Sequence, residues 1–383
     1  MTEAVRQAPT DSSAQRAALL RWGGGVALIS VAVLVVVLLV GGGAPQAAVP
    51  GLPDPGPITG WGLPLSRLLA DLAGLATIGL LLAAAVLLPS PADRLAGIPA
   101  RGVRLAGVSA AVWAGAVFVE LVFNVSDFLG ISPQHALRPT VFLSFVTQVT
   151  QGRALLIQVV LALAVAAMTK AVVNSFGASV VTVLALSALV PPLLTGHAAS
   201  AGSHELAIAS LVVHVVCVAL WVGGLLALAW AALAGTEGLR HAVPRFSTLA
   251  AWCFTIIGVS GVVNAAVRLG AFAPLITSSY GALVLAKATA LVVLGGFGYW
   301  HRARTVRQLA AGEESSSGRR AAALAFLSVA AAELVVMAAT VALAVGLSRS
   351  PTPSAGGESA SAAADILGFP LPGPPTAARF ALG

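Results

Sequence analysis

Charge is scarce in this chain. Asp, Glu, Lys and Arg supply 9% of its 383 residues, against 58% hydrophobic side chains and a mean hydropathy of +0.95. A soluble domain of this length has no use for so much apolar surface, so a water-soluble globular protein is excluded. Cysteine is nearly absent: Cys217 and Cys253 both lie in apolar runs and no CxxC occurs, which removes zinc ribbons and disulfide frameworks. The three methionines, Met1, Met168 and Met337, form no MxxM array, so a thioether relay is absent. No GxxxxGK[ST] is present, so the chain is not an ATPase by itself, and no enzyme activity is expected.

What charge there is leans basic, with 21 Lys and Arg against 14 Asp and Glu and a pI near 10.6. Nucleic acid is not the partner this implies, because the basic residues sit in short clusters between apolar runs, where they orient the chain in a bilayer. Several runs exceed the ~18 apolar residues that mark a spanning helix. The expected fold is all-α: a polytopic transmembrane bundle of about nine spans, N-terminus cytoplasmic.

In chain order, 1–21 reads as a cytoplasmic tail and 22–42 as the first transmembrane helix. That run is longer than the ~7–15-residue core of a signal peptide, so a retained helix is expected rather than a cleaved leader. Residues 43–64, rich in proline, read as an external loop with no regular helix. The transmembrane domain proper covers 65–347, and 348–383 reads as a flexible external tail or linker. Within the domain, 89–104 and 237–245 read as inner loops, and 140–149, too short to span, as an interfacial or re-entrant helix. A span over 176–194 is expected to kink at Pro191 and Pro192. This arrangement puts the arginine clusters at 94–104, 240–245 and 302–320 inside.

The topology then sorts the polar residues. His135, His197, His204, Glu205 and His214 fall on the outer loops or outer halves of helices, with Glu120, Asp127, Asn264 and Lys287. His214 is the sharpest candidate, about ten residues into its span, where a polar side chain is costly. It is either a neutral imidazole bonded to a neighbouring helix or a metal ligand, since neutral imidazole suits copper, zinc and iron alike. Cys217, three residues on, is either a soft partner for Cu(I) or a small apolar filler. His197 and His204 flank a loop of small residues that can let both rings meet one ion, with His135 joining from the neighbouring segment. Lys287 and Arg268 would repel a cation and can instead pair with Glu120, Asp127 or Glu205.

The segment HVVCVALWVGGLLAL from His214, preceded by PPLLTGHA and followed by RFSTLAAWCFTIIGVSGVVNA and YGALVLAKATALVVLGGFGYWHRAR, resembles the copper resistance D family over roughly residues 60–347. The resemblance implies an inner-membrane protein that handles copper, usually by moving it across the membrane. His197, His214, Trp221 and Lys287 are the matched polar or aromatic positions. The methionine-rich external segments often associated with copper-resistance proteins are missing. The stretch DILGFPLPGPPTAARFALG (365–383) resembles the lead-in to the CtaG-type cytochrome oxidase assembly domain of actinobacterial fusions.

The expectation is copper transport or homeostasis, with His197, His204, His214 and His135 as metal ligands. Glu120, Asp127, Glu205, Trp221, Asn264 and Lys287 would support them. The partners implied are the lipid bilayer, a copper ion or external copper chaperone, and a cytochrome oxidase assembly factor. Two rivals stand beside it: a b-type haem electron-transfer protein, and a structural partner in oxidase assembly.

Overall fold

Inside hydrocarbon no water satisfies backbone N–H and C=O groups, so each apolar run must close its hydrogen bonds on itself, which a helix does. The computed structural model describes residues 12–45, 53–90, 94–195, 204–235, 238–269, 272–301 and 316–350, with the backbone alone at 12–22, 204–207, 301 and 316–323. Its helices are α1 (Ser12–Val40), α2 (Gly56–Leu82, extended by a π turn over Ala83–Leu87), α3 (Gly97–Leu129), α4 (Pro133–Ala136) and α5 (Pro139–Gln148). They continue as α6 (Thr150–Met168), α7 (Ser175–Ser187), α8 (Val190–Leu193) and α9 (His204–Ala234). The last are α10 (Leu239–Leu269), α11 (Ala273–Thr277), α12 (Ser279–His301) and α13 (Ser316–Leu347). Among the described residues nine helical segments are long and apolar enough to cross a membrane, α7 and α8 counting as one.

The most buried of the nine, α2, is the centre of the bundle. It packs on α3 and α9, and also on α7 and α13, while α3 carries α6, α9 carries α10, and α13 carries α1 and α12. Two features let neighbours approach it. Trp113 of α3, 1% exposed, lies over Gly74, where a Cβ would stand 3.1 Å from the indole. At Gly79 and Gly223 the backbones of α2 and α9 touch, and a Cβ on Gly79 would fall on the Gly223 carbonyl. Small residues at such crossings are what bring membrane helices together, since lipid tails give no hydrophobic drive.

One end of the bundle is basic. Arg245 Nη1 of α10 donates to the Val86 carbonyl in the π turn at 3.1 Å, and Leu95 N donates to the Val173 carbonyl at 2.8 Å. These bonds hold the Leu87, Gly97 and Leu239 helix ends and the 3-10 turn Thr169–Ala171 after α6 together, with Arg94, Arg101, Arg104, Lys170, Arg240 and Arg245 nearby. At the opposite end Gly130, at φ 61°, caps α3, and its N–H donates to the Ser126 carbonyl. There Arg349 Nη1 pairs with Asp127 Oδ2 at 2.9 Å, tying α3 to the segment after α13. Asp127 is thus paired with Arg349, and not with Lys287 or Arg268 as expected.

Several boundaries differ from the sequence reading. The loop expected over 43–64 ends early: α2 starts at Gly56, with Pro57 in its first turn and Pro64 inside it. Proline costs nothing in the first turn, where the missing N–H has no partner to lose. The 89–104 and 237–245 loops are likewise short, because α3 begins at Gly97 and α10 at Leu239, so Arg101, Arg104, Arg240, His241 and Arg245 are helical. The cytoplasmic tail expected over 1–21 is helical from Ser12. The span ending at 194 is broken after Ser187, before the prolines, and resumes as α8. The expected short helix is present as α5, packed on α6.

Candidate functional site

Helices α9 and α10 run antiparallel, and polar or polarisable pairs meet along their seam at one per helical turn. From the His204 end inwards the first is Asn264 Nδ2 donating to Ser210 Oγ at 3.1 Å. Next, His214 Nδ1 lies 2.9 Å from Ser260 Oγ. The thiols of Cys217 and Cys253, both buried, then face each other within hydrogen-bonding reach. Last, Trp221 and Phe254 make an edge-to-face pair with ring centroids 5.9 Å apart at 88°. The α9 members, at 210, 214, 217 and 221, follow the spacing of four, three and four residues that keeps side chains on one helix face.

Beyond the aromatic pair, toward the basic end, lies a cavity of about 270 Å³ between α9, α10, α12 and α13. Its walls are mostly apolar, with Trp221, Phe246 and Phe254 among them. Ser247, Thr255 and the carboxylate-bearing Glu333 (4% exposed) supply its polar groups. The Phe254 ring rests on Gly295 of α12, where a Cβ would stand 2.9 Å from it.

The hydrogen bonds fix the state of His214. Ser260 has one hydroxyl proton, and its Oγ sits 2.6 Å from the Ile256 carbonyl, an acceptor only. The proton goes there, so Ser260 accepts from His214, and Nδ1 carries the ring proton (tautomer assigned from the network). The ring is also hydrogen-bonded to the Ile257 carbonyl, so two neighbouring groups of α10 hold it in place. Lys287 of α12 stands within electrostatic range of His214, and Arg268 within range of Lys287.

The other sequence candidates are dispersed. His135 is exposed on α4, its Nδ1 2.8 Å from Ser132 Oγ, and α4 packs on α3 and α5, so it sits in a different packing unit from His214 and does not join it. His197 lies outside the described residues, and for His204 and Glu205 only the backbone, at the first turn of α9, is described. Glu120 and Asn124, buried on α3, belong to a second polar network. In it Asn124 Nδ2 donates to the Glu120 carbonyl at 2.9 Å and Gln151 Nε2 to Asn124 Oδ1 at 2.6 Å. Among the described residues no three His, Cys, Asp or Glu side chains gather closely enough to hold a metal ion. A b-type haem needs two imidazoles at matching depth, and among the described histidines His214 alone sits in mid-span, so these residues do not fit that group.

Sequence reasoning passed over Ser260 and Phe254, and placed Cys253 in an apolar run without pairing it with Cys217. Ser260 had a signal, standing four residues before Asn264 and so on the same face of an apolar helix.

Two family profiles match this chain. One, described as copper resistance protein D, matches residues 240–347; the other, copper resistance protein D-like, N-terminal domain, matches residues 58–206. Together they take in about two thirds of the sequence. Over these two ranges the chain is similar to the copper resistance protein D family. A curated relative, Inner membrane protein YebZ of Escherichia coli (strain K12), is 39% identical over 90 residues, which is 21% of this chain and 29% of that protein. The match therefore spans less than a third of that relative's length. No solved structure matches. With nine apolar helical segments among the described residues and an inner-membrane relative, the protein is a multi-pass plasma-membrane protein. Most of α9, with His214, falls between the two matched ranges.

Proposed function

We propose that this protein carries copper across the plasma membrane along the α9–α10 seam, with His214 as the mid-membrane ligand. The observation that carries this reading is an imidazole in mid-span, tied to α10 by Ser260 and the Ile257 carbonyl. The similarity to copper resistance protein D suggests the cargo class. Thiols suit Cu(I), the softer copper ion, so Cys217 and Cys253 form the next station. Trp221 and Phe254 then part to admit the ion to the cavity holding Glu333.

His197 and His204 would collect the ion at the entrance, and Trp221 and Asn264 support the path while Glu120 and Asp127 hold the scaffold. The basic end faces the cytoplasm in this reading, by the bias of Lys and Arg to inner loops, so copper moves inwards. It is handed to a cytoplasmic acceptor or an oxidase-assembly partner. The protein acts as a carrier, not an enzyme.

Uptake of Cu(I) into proteoliposomes tests the reading, comparing wild type with His214→Leu and Cys217→Ser/Cys253→Ser. Uptake is expected to fall to the empty-vesicle rate in the first and severalfold in the second, with both variants eluting as folded protein in size exclusion. Wild-type uptake by folded His214→Leu would defeat the seam as the path.

A further inference from the structure

A groove of about 510 Å³ runs between α3 and α6, away from the α9–α10 seam. Arg104 and Lys170 stand at one end of it, with Thr169 beside them, and the remaining walls are apolar, among them Val108, Ala111 and Leu163. The helices lie close here: a Cβ on Gly107 would collide with Thr169 Oγ1. The alanines that follow are too short to fill the space the crossing leaves.

The depth of the groove follows from helix length. With 33 residues, α3 is roughly 50 Å long at ~1.5 Å per residue, well beyond the ~30 Å of hydrocarbon. Its first turns therefore stand in the headgroup layer, and Arg104 emerges near the boundary. Lys170, just past the end of α6, lines the same mouth. From Arg104 to Ala111 the groove extends roughly 10 Å towards the hydrocarbon. Val108 is 63% and Leu163 52% exposed, so its side opens laterally onto lipid.

We propose that this groove binds an anionic phospholipid, with the phosphate between Arg104 and Lys170 and the upper part of an acyl chain along Val108, Ala111 and Leu163. Neither cation is paired with a carboxylate among the described residues, and no acidic residue lines the groove. The two positive charges at the mouth complement an anionic headgroup rather than a zwitterionic one. A lateral opening onto hydrocarbon suits a lipid, where a free phosphate would gain nothing from the apolar walls. Basic pockets between spanning helices at the cytoplasmic side are a recurring solution for such headgroups.

Native mass spectrometry of delipidated protein, titrated with phosphatidylglycerol or phosphatidylcholine in the same detergent, tests this. One phosphatidylglycerol per chain is expected to bind in preference to phosphatidylcholine. Arg104→Gln/Lys170→Gln should weaken it about thirty-fold, roughly five-fold per charge. Ala111→Leu, which keeps both charges and obstructs the groove, should weaken both lipids. Circular dichroism and size exclusion confirm that each variant is folded. Equal binding of the two lipids, or unchanged phosphatidylglycerol binding in the folded double variant or in Ala111→Leu, would overturn the proposal. So would competition by inorganic phosphate alone.

Discussion

Substituting Gly223 by alanine puts the α2–α9 crossing under direct test. A Cβ at this position would collide with the Leu75 carbonyl oxygen and stand 3.0 Å from Gly79 N and 3.1 Å from Gly79 Cα. These are backbone atoms inside a helix, so no rotamer change can clear them. The helices must separate instead, loosening the packing around Ile78 and Leu225, which are 0% and 1% exposed. Forcing a methyl into a packed interior costs typically ~1–3 kcal/mol. The gain in helix propensity from Gly to Ala, about 1 kcal/mol, offsets part of it. A net loss of about 2 kcal/mol is expected here, since every nearby atom is backbone. Gly115→Ala is the control, because nothing lies within 4 Å of a Cβ there and only the propensity gain applies. Thermal unfolding of both variants in one detergent should place Gly223→Ala several degrees below wild type and Gly115→Ala at or above it. A Gly223→Ala protein as stable as Gly115→Ala would refute the close crossing.

Trp113→Ala empties a site that is 1% exposed and should cost ~3–5 kcal/mol, read as a large fall in unfolding midpoint; a loss under 1 kcal/mol would contradict its place in the core. The Arg349–Asp127 pair is about a third exposed, at 29% and 34%, so its coupling should be under about 1 kcal/mol. A double-mutant cycle of Arg349→Gln and Asp127→Asn measures it. Ser260→Ala removes the group that orients His214, and Cu(I) affinity in a competition titration should drop roughly 10–100-fold, as for other groups that orient metal ligands. Unchanged affinity would mean that Ser260 does not set the His214 tautomer.

The spans were legible because length and apolarity alone mark them, and charge-poor runs leave little room for another reading. Their ends were not. Pro57 and Pro64 look like breakers on paper, yet one sits in a first turn that has no N–H bond to lose and the other is tolerated inside a packed helix. His214 stood out because a polar side chain in mid-span is costly, whereas Ser260 did not, since a serine can satisfy itself on its own helix. The pairing of Asp127 with Arg349, 222 residues away, has no trace in local spacing. Nor does the meeting of Cys217 with Cys253, which depends on how two antiparallel helices rotate about their axes.

Copper content is the most direct test of the seam. Protein purified in detergent under reducing conditions, loaded with Cu(I) and desalted, would be assayed for metal as wild type, His214→Ala and Cys217→Ser/Cys253→Ser. The account predicts copper retained by the wild type, largely lost from the histidine variant and weakened in the cysteine variant, with all three folded. No copper in the wild type, or equal copper in folded His214→Ala, would contradict it.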